Sequence, residues 1–277
     1  VTARVWGQDP AALPEAADVA SLGRLERELL GGLGLPDRPR RDAHVHLGRD
    51  SDGHGLTVDE LLADMDACGI ASAVCFPAND PGEDGRFTRA NDLVAAAAAR
   101  APGRIVPFCR VDPGSDWRGA MERAAERGAR GLKLHPVAQR FRPEAPECLA
   151  AVAAATEQGW PVLLHAGFGA RRLAGPMREL ARAVPSARLI LAHGGRGDAA
   201  ALADAFAGDP RVAFDTSLAS LVDLAGLPPE QLMLGSDRPY GEHAGALHLV
   251  ARAAEVAGWS KDQLAGVLGG NLERWLA

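Results

Sequence analysis

The residues best equipped for chemistry share one pattern: short apolar runs that end in histidine, lysine or aspartate. The first is Asp42-Ala43-His44-Val45-His46. Side chains alternate faces along a β-strand, so His44 and His46 point the same way. Two neutral imidazoles on one face make half of a metal site. The plainer alternative is a surface strand with two polar positions, and an isolated H-x-H does not choose between them. Lys133 and His135 close the run Gly131-Leu132-Lys133-Leu134-His135-Pro136, and His165, His193, Asp215 and Asp237 close four later ones. Of the 8 histidines, His44, His46, His135, His165 and His193 fall at such ends, leaving His54, His243 and His248 elsewhere. That is far from a scatter. Singly, His165 and His193 read as hydrogen-bonded core histidines. With His44, His46 and Asp237, a shared metal is the better account. Lys133 in an apolar strand must pair or lose its charge. His135 reads first as a turn residue before Pro136, with a lesser claim to substrate contact, and Asp215 before Thr216 and Ser217 reads first as a helix cap. Gly167-Phe168-Gly169 fails as a dinucleotide loop because Arg172 takes the third glycine's place. Gly194-Gly195-Arg196-Gly197 is a weak phosphate cradle on its own.

The elements that must position these residues follow from hydropathy. Apolar runs predict strands at about 41–45, 71–76, 105–109, 131–134, 161–165, 188–192, 212–215 and 232–235. Helical stretches alternate with them: Val58–Cys68, which Thr57 and Glu60 start as a capping box, Asn91–Arg100, Trp117–Arg127, Pro143–Gln158, Pro176–Val184, Gly197–Ala207, Ser217–Ala225 and Glu242–Ala257. Gly69, Gly128, Gly159 and Gly258 end helices. This alternation predicts an α/β fold, a (β/α)8 TIM barrel over residues 41–277. A doubly wound open sheet is the alternative and would gather its site at one switch point. Residues 1–40, broken by Pro10, Pro14, Pro36 and Pro39, read as an N-terminal helical extension packed on the barrel, with one helix near Ala20–Leu30. Residues 260–268 and 271–276 read as closing helices.

Bulk properties narrow the function. The chain has 277 residues, 47% hydrophobic, which suits one large barrel. A net charge of -6 argues against nucleic acid as a partner. No apolar run reaches membrane-spanning length and the start lacks a signal-peptide pattern, so a cytoplasmic protein without membrane contact is expected. Cys68, Cys75, Cys109 and Cys148 form no C-x-x-C pair and read as small buried hydrophobes in a reducing compartment.

Taken together the motifs resemble the amidohydrolase superfamily, and within it the amidohydrolase-related branch of small hydrolases and non-oxidative decarboxylases. The matching stretches are Asp42-Ala-His-Val-His46, Gly131-Leu-Lys-Leu-His-Pro136, Leu164-His-Ala166, Leu191-Ala-His-Gly194, Gly235-Ser-Asp-Arg-Pro239 and Gly270-Asn-Leu-Glu-Arg274, spread over residues 41–277. The resemblance implies one divalent metal held by His44, His46, His165 and Asp237, with His193 touching the metal's water or the substrate. It leaves Lys133 ambiguous, since some members carboxylate a lysine here to bridge a second metal. Three imidazoles and a carboxylate suit Zn2+, and also Mn2+, Fe2+ or Co2+.

Three functions remain in play. In a hydrolase a metal-activated water attacks the substrate, Asp237 orients it and moves its proton, and His193 steadies the developing charge. In a decarboxylase the metal holds a substrate carboxylate, and Asp237 or His193 protonates carbon. In a plain metal-binding protein nothing reacts, and the free acid-base groups argue against that. With 1 Tyr and 7 Phe there is little to sandwich a flat aromatic acid, which tilts the choice to hydrolysis of an amide, lactone or ester. Arg140, Arg142, Arg171, Arg172, Arg196 and Arg238 crowd the later loops, whereas the earlier loops are acidic on balance. Such arginines are usually solvated or paired. The functional alternative is a small anionic substrate whose carboxylate is clamped by Arg238, with Arg196 beside it. Self-association into a homo-oligomer is left open.

Overall fold

The computed structural model describes residues 30–80, 86–170 and 172–277. The strands are β1 (Arg40–Arg49), β2 (Gly55–Leu56), β3 (Ile70–Pro77), β4 (Ile105–Pro107), β5 (Cys109–Arg110), β6 (Leu132–Leu134), β7 (Val162–Leu164), β8 (Leu189–Leu191), β9 (Val212–Asp215) and β10 (Leu232–Met233). The helices are α1 (Val58–Cys68), α2 (Thr88–Arg100), α3 (Arg118–Glu126), α4 (Pro146–Glu157), α5 (Ala174–Ala183), α6 (Ala199–Ala205), α7 (Leu221–Gly226), α8 (His243–Ala257), α9 (Lys261–Ala265) and α10 (Asn271–Leu276). Every expected strand is present, with β2 added as a short antiparallel partner of β1's far end.

The parallel strands run in chain order. β1, β3 and β4 pair in turn, and β5 to β10 pair in turn. β4 and β5 are one expected strand, interrupted at Phe108. Phe108 N–H donates to the Cys75 carbonyl (2.8 Å) and Cys109 N–H to the Gly131 carbonyl (2.7 Å), so the chain passes from one neighbour to the next. The ring closes between first and last strands: Ala43 N–H donates to Leu234 O (2.7 Å), Asp237 N–H to His44 O (2.9 Å) and His46 N–H to Arg238 O (2.8 Å). An open doubly wound sheet would not put its first strand beside its last. This is the (β/α)8 barrel.

Alternation divides the core in two. Ala43, Val74, Phe76, Phe108, Leu163, Ile190, Ala213 and Met233 fill the interior, closed below by Leu272, Trp275 and Leu276 of α10. Val45, Leu47, Leu132, Leu134, Val162 and Leu164 face out against Leu61, Met65, Met177, Leu180 and Val250 of the helices. Gly131 belongs inside, because a Cβ there would lie 2.4 Å from the Phe108 ring. Thr57 and Glu60 form the expected capping box, and Gly69 ends α1 at φ 66°. α3 begins without a side-chain cap. All four cysteines are free and buried.

Residues 1–29, including the expected helix near Ala20, lie outside the described residues. Leu30 is buried, and Leu33 and Leu35 pack on the outer core.

Candidate metal centre

The two histidines of β1 reach the barrel interior because the strand is irregular. Asp42 pairs with Ala73 and Val45 with Cys75, so three steps on β1 match two on β3. The extra residue re-aims the strand, as bulges do. Ala43 stays inside, and His44 and His46 turn in above it against the Phe76 ring, at 5.1 and 4.7 Å between centroids. The Asp42 carboxylate holds this turn by accepting from His44 N–H (2.8 Å) and, across the seam, from Ser236 N–H (3.1 Å). Asp237, next along, adopts φ 61°. Side chains other than glycine rarely sit there, and such conformations persist only where surroundings impose them. Here Asp237 N–H is bound to His44 O, and Asp237 O accepts from Tyr240 N–H (2.7 Å).

Three ligand atoms converge as a result. His44 Nε2 and His46 Nε2 lie 3.2 Å apart, and Asp237 Oδ1 is 3.0 Å from the first and 3.1 Å from the second. A tetrahedral ion with bonds of about 2.0–2.1 Å has ligand-to-ligand edges of about 3.3 Å. His44 Nδ1 donates to Asp215 Oδ2 (2.8 Å), which leaves the Nε2 lone pair aimed at the cluster. Asp237 Oδ1 is buried with no hydrogen-bond partner among the described residues. A cluster of acceptors with an orphaned carboxylate oxygen is what a cation satisfies, so these residues fit a divalent metal.

The charges agree. Burial works against Asp237's ionisation, yet His44 and His46 hold its carboxyl well below the usual range. Burial pulls His46 down to about 3 and His193 down to about 4, so both rings are neutral near pH 7. At His44, burial and Lys133 are outweighed by Asp215 and Asp237, and the value is raised. Protonation and metal binding therefore compete for His44.

Lys133 is wholly buried inside the barrel, with Nζ 3.4 Å from His44 Nε2 and 4.5 Å from the centre of the Phe76 ring. Burial lowers it to about 7 against the pull of Asp237 and Asp215. His193, at φ 61°, places Nδ1 3.9 Å from Asp237 Oδ2, 3.1 Å from Ser217 O and 3.0 Å from Ser217 Oγ. Gly167 makes room for it, since a Cβ there would lie 2.5 Å from the His193 ring.

His165 is not in the convergent set. Its Nδ1 faces His193 Nε2 (3.1 Å) and its Nε2 donates to Phe168 O (2.9 Å). Ligating an ion through Nε2 would give up the bond to Phe168. His135 stacks on His165 at 3.9 Å and 14°, in the wall of the same cavity. Arg238 points elsewhere: its guanidinium pairs with Asp64 of α1 and is not part of that cavity. Arg196 donates to Leu218 O (2.6 Å) and lies 4.9 Å from the Phe168 ring. Arg142 pairs with Glu144, and Arg171 lies outside the described residues.

Two residues matter more than their sequence context suggests. Asp215 does hold a local turn, accepting from Ser217 N–H (3.0 Å), but it also accepts from His193 N–H (3.1 Å), the Ser217 hydroxyl and His44 Nδ1. Its place at a strand end, level with the histidines, was the available signal. Arg110 ends β5, one residue past the apolar run 105–109. It is fully buried in the cavity wall, donates to Pro77 O (3.1 Å) and Asn79 Oδ1 (3.3 Å), and leaves Nε unpartnered. No carboxylate lies within ion-pair distance of it among the described residues. The cavity above these groups holds about 470 Å³.

Among the described residues no helix is long and apolar enough to cross a membrane. No curated protein matches the chain. Solved structures do. A putative 2-pyrone-4,6-dicarboxylic acid hydrolase from Pseudomonas putida superposes with TM-score 0.62 at 18% identity, covering 86% of this chain and 97% of that one. The apo form of IDCase from Metarhizium anisopliae gives 0.65 at 14% identity, covering 87% and 97%. An uncharacterized TIM-barrel protein from Bordetella bronchiseptica gives 0.64 at 16% identity, covering 94% and 92%. At these identities the likeness speaks for the fold. The family is carried by sequence: residues 41–277 match the family described as Amidohydrolase, and the chain belongs to it.

Proposed function

We propose that the protein is a metal-dependent hydrolase acting on a small, carboxylate-bearing amide, ester or lactone. The observation that carries this is the convergence of His44 Nε2, His46 Nε2 and Asp237 Oδ1 below an open cavity. Zn2+ suits the set best, with His165 as a fourth ligand if its ring leaves the Phe168 carbonyl. A divalent cation held there supplies a water of near-neutral pKa and polarises a carbonyl.

The chain's own groups do the rest. Asp237 Oδ2 faces His193 at 3.9 Å, so the pair can take a proton from the attacking water and pass it to the leaving group. His193, neutral and held through Nδ1 by Ser217, presents Nε2 toward the cavity side of His165. Lys133 is positioned to steady negative charge as an ammonium or, once neutral, to add carbon dioxide through Nζ as a carbamate, losing one amine proton to solvent, which would provide an anionic ligand for a second metal. His135 walls the substrate site.

The anionic-group role falls to Arg110 rather than to Arg238 or Arg196. Keeping a buried charge with no opposite charge within ion-pair distance is costly even where neutral acceptors bind it, and a substrate carboxylate would offset that cost. The same Arg110 is the reason to retain decarboxylation as the second reading, because a decarboxylase substrate must bring a carboxylate. The test is a screen of the zinc-loaded protein with amides, lactones, esters and aromatic acids, following both acid release and carbon dioxide. Turnover that survives chelation or Asp237→Asn would overturn the proposal, and carbon dioxide as product would select the second reading.

A further inference from the structure

Beside the metal cavity lies a second one of about 370 Å³. Its lining combines Phe168, Leu218, Ala219, Ala246 and Leu249 with Arg196, Glu242 and Ser236, the neighbour of Asp237. Phe168 and Leu218 line both cavities and form the divide between them. Arg196 braces this divide, bonding the Leu218 carbonyl and lying against the Phe168 ring. That use accounts for an arginine that a substrate clamp does not. Leu218 sits at φ 47°, a conformation leucine seldom adopts. Phe168 is 50% exposed, a large apolar ring standing in water at the mouth of the site.

The two cavities differ in the side chains they present. The metal cavity is lined by four histidines, aspartates, Asn79 and Arg110, whereas the second offers five apolar side chains, with Ser236 and the exposed, charged Arg196 and Glu242 also in its lining. Hydrolysis of a linear amide or ester yields two fragments, and a site for it needs room on both sides of the scissile bond. A compact lactone needs only one. We propose that the second cavity is the subsite for an alkyl or aryl arm, and that the substrate is a linear two-part molecule with its polar half in the metal cavity. This rests on the hydrolytic, metal-dependent reading above.

The test uses alkyl hydroxamates, which chelate zinc and carry an arm of chosen length. Acetohydroxamate, butyrohydroxamate, hexanohydroxamate and octanohydroxamate are titrated calorimetrically into the zinc-loaded protein. Affinity should rise about two- to fourfold per methylene, the factor that burial of a methylene group supports. Ala246→Trp fills the cavity from α8 and should flatten the series while leaving acetohydroxamate unchanged; Leu249→Gln should reduce the slope without changing the cavity's volume much. A flat series in the parent protein, or an equal slope in Ala246→Trp, would overturn the arm subsite and leave the metal reading standing. Failure of acetohydroxamate itself to bind would overturn both.

Discussion

Asp215→Asn changes one atom and separates metal affinity from folding. The carboxylate's Oδ1 accepts from three donors, His193 N–H, Ser217 N–H and the Ser217 hydroxyl, whereas Oδ2 accepts from His44 Nδ1 alone. An asparagine must therefore keep its carbonyl oxygen on the three-donor side, because the reverse sets an NH2 group against three donors. The amide nitrogen then faces His44 Nδ1, which has to become an acceptor. The imidazole proton moves to Nε2 and occupies the lone pair aimed at the ion. Without metal the swap costs little, since Nε2–H finds the orphaned Asp237 Oδ1 3.0 Å away. With metal the ligand tautomer must be restored against the amide. Loss of such an outer partner weakens metal binding by about ten- to a hundredfold, about 1.4–2.7 kcal/mol. The assay is competition for Zn2+ against a chromophoric chelator, with the melting temperature of the apo protein as control. An Asn variant that binds zinc within twofold of the parent, or one that loses affinity only because its apo form unfolds, would refute the tautomer argument.

Other outcomes follow from single contacts. His44→Ala should lose most of its bound metal by elemental analysis, as it opens a set of few ligands; full occupancy would refute the assignment. Zinc affinity of the parent protein should rise with pH through the ordinary imidazole range and beyond it, because binding displaces a proton from His44, whose value is raised; an affinity independent of pH would count against that competition. Gly167→Ala should leave the fold intact but displace the His193 ring, which a Cβ would approach to 2.5 Å, and turnover should fall by tenfold or more with little change in metal content. Burial pushes the thiols of Cys109 and Cys148 up to about 12, so in the folded protein they stay protonated through pH 7–9. A thiol reagent at pH 8 should find no reactive cysteine before denaturation and all four after it.

What the sequence carried and what it hid divide along physical lines. Strand and helix alternate because a barrel strand buried on both faces is a short apolar run, and that signal depends only on neighbours in the chain. The residues at strand ends were legible for the same reason: a polar side chain closing an apolar run is visible locally. Direction was not. His44 and His46 share a face with Ala43 only because the bulge between Asp42 and Val45 breaks the period of two, and nothing in Asp42-Ala-His-Val-His46 announces a bulge. Arg238 follows Asp237 directly, yet Asp237's left-handed backbone swings the next side chain outward to Asp64, a residue 174 positions away. Adjacency in sequence was a poor guide because the strained turn that aims Asp237 inward is what aims Arg238 away. Arg110 shows the converse. It closes a strand like every other site residue, the apolar run ending at Cys109 just before it, but Phe108 interrupts that strand. Its local signal was the same as theirs, a polar residue closing an apolar run, but only the transfer of the chain from β3 to β6 shows that its charge stands in the cavity wall. Positions of chemistry in such a barrel are local information; their orientation belongs to the closed ring and becomes readable only once the first and last strands meet.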